Sequence, residues 1–235
     1  MSTKSKGAAP PSPSLTERRK AATQLDIARA AAELFAEHGP DGTTAEEIAR
    51  RAGVALRTFY RYFRSKQDAV APLLASGADR WREQLAATAT EGRAGLPEAL
   101  ERSIAASLTP ETDAEAEALH WTRGLLRAAA GDPALRAVWY RVNQESEERL
   151  RGVLGALAGP DATPLEVRLA AAAATDAVRI ALESWAEAPE DDAGAPAALA
   201  VRCLRELIGG IRLMGPGSDG GHGTAAPEGP ADLRA

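Results

Sequence analysis

Cysteine occurs once in the 235 residues, at Cys203, so no disulfide can close within the chain and a reducing cytoplasm is the expected compartment. Aromatic residues supply only 4% of the sequence, and no window alternates apolar and polar residues between turn signals as a half-buried strand does. That leaves little from which to build a sheet. No apolar stretch reaches the ~18 residues a membrane-spanning helix needs. The opening MSTKSKGAAPPSPS has no apolar core of the kind a secretory signal carries. His38, His120 and His222 fall at no metal-ligand spacing with one another or with Cys203. No glycine loop precedes a lysine, and neither G-x-S-x-G nor H-E-x-x-H occurs. A triad through His120 has no sequence support either, so the reading is of a non-enzyme with no cofactor and no metal.

What is present is alanine, charge and helix punctuation. Charged residues make up 26% of the chain and give a net charge of −5. The sum hides an asymmetry: residues 1–72 hold 12 Lys+Arg against 8 Asp+Glu, and the remainder holds 16 against 25. Phosphate backbones attract the first segment and repel the second. Ser14/Glu17, Thr44/Glu47, Thr112/Glu115 and Thr163/Glu166 have the spacing at which a hydroxyl and an acid satisfy the free amides of a helix's first turn, with Ser65/Asp68 a weaker variant. Pro133 and Pro164 suit first helical positions, and Gly39, Gly131 and Gly159 mark stops.

This punctuation predicts helices over 15–38, 44–52, 56–63, 66–89, 97–108, 112–130, 133–158, 164–187 and 195–213. The expected organisation is a disordered arm (1–14), a small head (15–68), a larger helical body (69–213) and a Gly/Pro-rich disordered tail (214–235). The boundary is placed inside the fourth helix near Pro72, where a proline is expected to kink it.

The informative stretch is Thr44 to Phe63, TAEEIARRAGVALRTFYRYF. Two short helices meet at Gly53, where a tight turn between crossing helices needs positive φ. Ile48, Ala49, Ala52 and Val54 suit an inner face. Phe59 and Phe63, four residues apart, anchor the second helix to it. Arg57, Tyr60, Arg61 and Arg64 then point outward, a composition suited to a major groove. Arginine bonds guanine O6 and N7 bidentately, while hydroxyls reach phosphates.

Residues 20–68 resemble the DNA-binding domain of the TetR family of transcriptional regulators. The resemblance is carried by Thr44, Ile48, Ala49, Ala52, Gly53, Val54, the run Thr58-Phe59-Tyr60-Arg61-Tyr62-Phe63, Ser65 and Lys66, with LFAEHG (Leu34 to Gly39) closing the helix before. It implies an all-α fold: a three-helix helix-turn-helix domain followed by a helical-bundle regulatory and dimerisation domain. It implies that Thr44 bonds a phosphate and that Arg57 and Thr58 stand at the start of the recognition helix. Tyr60, Arg61 and Tyr62 would touch the groove and its phosphates, and Lys66, opening the fourth helix, a further phosphate. Arg18, Arg19 and Lys20 either contact flanking DNA or are a solvated helix end. The sequence departs from the family at Ala55, where a capping Ser or Thr is common, and at Leu56, where many members have a polar residue.

The resemblance further implies an effector cavity and a four-helix dimer interface. For the cavity the candidates are Trp121 and Trp139 with His120, Arg123 or Tyr140 as polar handles; the alternative is that the tryptophans simply fill core. For the interface they are the small-residue face Ala174, Ala177, Val178 and Ala181 and the stripe Leu204, Leu207, Ile208 and Ile211; the alternative is that these pack inward within one chain. The expected function is a homodimeric repressor bound to a palindromic double-stranded DNA operator and released by a small molecule, with no membrane partner. The alternative is a TetR-like architectural DNA binder without an effector.

Overall fold

The structure is a computed structural model that describes residues 14–90, 95–189 and 194–209. Among them it is all-helical: α1 (Leu15–His38), α2 (Ala45–Arg51), α3 (Leu56–Tyr62), α4 (Ala71–Thr90), α5 (Leu96–Ser107), α6 (Asp113–Gly131), α7 (Pro133–Leu157), α8 (Pro164–Glu187) and α9 (Pro196–Ile208). The expected disordered arm, except Ser14, lies outside the described residues. So do the tail 214–235, the predicted end of the last helix and Ile211.

The capping chemistry explains why the helix starts were legible. Ser14, Thr44 and Thr163 each accept from the amide three residues on, while Glu17, Glu47 and Glu166 reach back to the cap amide. Thr112 accepts from the Glu115 amide, but the Glu115 carboxylate instead takes the Glu111 amide and Arg80. Asp132 ends α6 and caps α7 through the amides of Ala134 and Leu135.

The fourth helix corrects the sequence reading. Residues 64–67 form a bend and turn, Asp68–Val70 a short 3-10 segment, and only then does α4 begin at Ala71. Pro72 therefore sits in the first turn of α4 rather than inside a helix. There its missing N–H breaks no established ladder, so it shapes a helix start and no kink.

α1, α2 and α3 enclose a core of Ile27, Ala31, Leu34, Phe35, Ile48, Ala49, Phe59 and Phe63. Ala69 and Val70 are fully buried, and their 3-10 segment packs on α1. In the body, α8 pairs with α9 and with α7, and α4 packs between α5 and α7. α6 lies against α7 and α8 and also touches α1, joining head to body. Arg123 and Arg127 close the end of α8 by donating to the carbonyls of Ala188 and Ala186, where cations favour the negative pole of the helix.

The small-residue face expected at a dimer interface is already used. Ala174, Ala177, Ala181, Leu204 and Ile208 are buried within the chain, because small side chains let α9 close on α8. Those five are unavailable to a partner. Val178 lines an internal cavity, and among the described members of the predicted set only Leu207 is exposed, at 42%.

Candidate nucleic-acid interface

The turn between α2 and α3 is built as its sequence suggests. Gly53 has φ +67°, and a Cβ there would meet nothing within 4 Å, so glycine is needed for backbone conformation and not for space. The Val54 amide donates to the Ala49 carbonyl at 2.9 Å and turns the chain sharply into α3. Ala55, the residue before α3, has extended backbone and supplies no side-chain cap, as the departure at that position implies.

Phe59 is fully buried, and its ring lies 5.7 Å from that of Phe63. Burying such a side chain contributes about 2–3 kcal/mol, enough to fix the rotation of a seven-residue helix that its own hydrogen bonds would not hold. With that rotation set, Arg57, Tyr60, Arg61 and Arg64 are exposed, and Thr58 and Tyr62 are half-buried. Tyr60 stands 54% exposed, edge-on to Phe59. Arg61 lies over the Tyr62 ring and donates to its hydroxyl at 3.1 Å.

The electrostatics separate two faces. Among the described residues Arg57, Arg61 and Arg64 form no ion pair with a carboxylate. Arg51, on α2, is held by Glu33 and Glu37 of α1. That hydrogen bonding raises the guanidinium of Arg51 and lowers the Glu37 carboxyl. The cations of α3, and Arg64 just past its end, thus keep their charge free for an external anion. Beside them, Arg19 and Lys20 of α1 share a groove with Arg61 and Tyr62. This extends the positive surface past the recognition helix.

Two of the predicted contacts are placed differently from the sequence reading. Lys66 does not open a helix; it sits in the turn before α4 and donates to the Thr43 carbonyl at 2.9 Å. The Thr44 hydroxyl is exposed but already donates to Glu47 while accepting the Glu47 amide. Those bonds from Thr44 hold the Glu47 carboxyl below its ordinary range. A residue that sequence reasoning missed, Thr43, is buried and donates to the carbonyls of Leu34 and Gly39, locking the end of α1 to the start of α2.

The body contains a cavity of about 60 Å³ bounded by α4, α5, α6, α7 and α8. Trp139 lines it, with its indole N–H donating to Glu183 at 2.7 Å. The other predicted pocket residues do not. His120 is exposed, Tyr140 is half exposed with Arg179 over its ring, and Arg123 stacks on Trp185. Trp121 faces an outer groove between α1, α4 and α6. Those four side chains emerge from other faces of α6 and α7, which the apolar pattern alone did not separate. The wall instead uses Trp81, whose N–H bonds Ser103, and a set of hydroxyls that apolar periodicity gave no reason to single out.

Two polar links tie body to head. Arg141 of α7 donates to Asp68 at 2.7 Å, and Gln67 donates to the free oxygen of Asp132, the cap of α7, at 3.1 Å. Burial would raise the Asp132 carboxyl, but the Leu135 amide, Gln67, the Ala134 amide and the Lys66 charge together lower it.

A helix-turn-helix head with an unpaired cationic recognition face, carried on a helical body with its own cavity, defines a DNA-binding regulator. Comparison with known proteins then gives the family. The profile of bacterial regulatory proteins of the tetR family matches residues 27–71. The HTH-type transcriptional regulator TcmR of Streptomyces glaucescens is 34% identical over 158 residues, which span 65% of this chain and 67% of TcmR. The fold is shared with a TetR-family regulator from Rhodococcus sp. at 16% identity and TM-score 0.52, covering 81% of this chain and 99% of that one. It is shared also with SmeT, solved in complex with triclosan, at 24% identity and TM-score 0.52, covering 79% of this chain and 90% of SmeT. The chain belongs to the TetR family and is a DNA-binding transcriptional regulator.

Proposed function

We propose that the protein is a homodimeric, cytoplasmic repressor whose head (15–68) binds a palindromic operator and whose body (69–213) releases it on binding a small molecule. The observation that carries this reading is the free cationic face of α3, with Arg57, Tyr60 and Arg61 presented outward by buried Phe59 and Phe63. Arg57 and Thr58 read base edges and backbone at the start of α3, and Tyr60, Arg61 and Tyr62 contact groove and phosphate. Lys66 and Thr44 each meet a phosphate: the Lys66 ammonium, fixed on Thr43, keeps further N–H groups free, and Thr44 reaches its anion by loosening Glu47. Arg19 and Lys20 meet the flanking backbone.

The dimer uses the outer side of α8 and α9. Leu165, Leu169 and Ile180 run along one exposed face of α8, and Leu207 is exposed on α9. A two-fold axis there sets two α3 helices in successive major grooves, about 34–36 Å apart. A guest that widens the cavity displaces α7. That helix holds Asp68 through Arg141 and Gln67 through Asp132, just beyond the end of α3. Coupling of about 1–3 kcal/mol between the two sites lowers operator affinity roughly five- to 150-fold. The triclosan held by SmeT, on the same fold, supports a body of this kind as a receptor for small apolar molecules.

The test is a mobility-shift assay on the DNA immediately upstream of the protein's own coding region, repeated with candidate ligands. Retarded duplex that a ligand releases is the expected result. Retarded duplex that no ligand ever releases favours the architectural reading, and no retardation at low salt rejects both.

A further inference from the structure

The lining of the body cavity has a chemical bias that its shape alone does not convey. Much of the wall is apolar, with two indoles whose N–H groups are already committed, Trp81 to Ser103 and Trp139 to Glu183. Four of its polar side chains have turned their donors inward to their own helices. Ser76 donates to Leu73, Ser107 to Ile104, Thr122 to Ala118 and Asn143 to Trp139, all at 2.7–2.9 Å. What the three hydroxyls keep for a guest is lone pairs, while Asn143 keeps its side-chain carbonyl and one N–H. Thr175 is 95% buried on the cavity wall, and its hydroxyl has no partner at all. A buried hydroxyl left unpaired is costly, and a guest that pairs with it recovers that cost.

Formal charge is nearly absent. Of the lining residues only Arg80 carries a formal charge; Glu115 balances it through an ion pair at the guanidinium tip, and its buried Nε–H is left without a partner. An anion would have to compete with Glu115 for that guanidinium. A cation would meet no lining carboxylate and would lose its hydration without compensation.

We infer that the cavity is selective for uncharged, largely apolar ring molecules that carry hydroxyl hydrogens, the phenol and alcohol class. This deepens the effector reading above and rests on it. The cavity is small beside the ~150 Å³ known to admit a benzene ring. A ring therefore binds by spreading the walls, and Asn143 and Ser146 place α7 among the walls that yield.

The test uses one ring skeleton in four forms: β-naphthol, its methyl ether, β-naphthoate and β-naphthylmethylammonium. Dissociation constants are measured by calorimetry on the full chain. The naphthol is expected to bind about five- to tenfold tighter than its ether, in which a methyl group replaces the donatable hydrogen, and at least about tenfold tighter than either ion. Thr175→Val, close in shape, is expected to shrink the naphthol-to-ether ratio by about threefold or more, a ratio that a general loss of folding does not mimic. Preference for an ion, parity of ether and naphthol, a ratio untouched in Thr175→Val, or no binding by any probe overturns the inference. The effector reading is scored separately on an operator duplex. Release of operator by a charged compound alone keeps the effector and sinks this class of ligand. Selective naphthol binding that never releases operator does the reverse.

Discussion

Asp132 offers the most quantitative check of how the regulator is held together, because one carboxylate does two separable things. One oxygen caps α7 through the amides of Ala134 and Leu135 at 2.8 and 3.0 Å. The other accepts from Gln67, in the segment between α3 and α4, at 3.1 Å. Replacing a good N-cap with alanine costs about 1 kcal/mol. A hydrogen bond to a charged acceptor contributes about 1.5 kcal/mol or somewhat more. Asp132→Ala therefore loses about 2–3 kcal/mol, a fall in Tm of roughly 5–10 °C for a chain of this size. Asp132→Ser keeps the cap but is too short to meet Gln67. It should lose only about 1.5 kcal/mol, the same as Gln67→Ala. Urea denaturation of the three variants measures these differences. The reasoning fails if the serine variant is as damaged as the alanine one, or if the alanine variant stays within about 0.5 kcal/mol of the parent.

Three further outcomes are expected. Ala55→Ser supplies the hydroxyl that α3 lacks at an exposed, extended position, and should stabilise the head by about 1 kcal/mol in urea denaturation. Gly53→Ala meets no steric obstacle, so its loss of about 1–2 kcal/mol, read the same way, is conformational and should be matched or exceeded by Gly53→Val. Acid should weaken the fold. Hydrogen bonds lower the carboxyls of Glu17, Glu47, Glu115 and Asp132 in the folded chain, so their stabilisation is complete above the ordinary carboxylate range near 4–4.5 and is lost as pH falls through the lowered folded values. Helicity followed by circular dichroism from pH 7 to 2 checks the direction; stability that rises on acidification contradicts it.

Among the described residues helix type and the starts other than that of α4 were legible because they depend on local chemistry, namely Ser14, Thr44, Thr112, Asp132 and Thr163 at caps and Gly53 at a turn. The outward face of α3 was legible too, since Phe59 and Phe63 leave only one rotation possible. What depended on packing between distant segments was not. Small residues at Ala174, Ala177 and Ala181 are suited equally to a partner chain or to α9, and only the closed α8–α9 pair decides between them. Lys66 belongs to a turn because Asp68–Val70 tightens into 3-10 geometry ahead of Pro72; Ser65 does accept the Asp68 amide, as the spacing suggested, but that bond opens the 3-10 segment and not α4. The cavity wall escaped because its hydroxyls, Ser107 and Thr175 among them, bond within helices or not at all, and neither pattern has a period.

The central claim is that the exposed side of α3 reads duplex DNA, and selection from a pool of randomised duplexes tests it most directly. The parent chain is expected to enrich a two-fold symmetric sequence at low salt. Arg57→Ala and Arg61→Ala, at exposed positions that leave the core intact, should abolish that enrichment while helicity is unchanged. Failure of the parent to retain any duplex, or enrichment of the same sequence by both variants, would contradict the account.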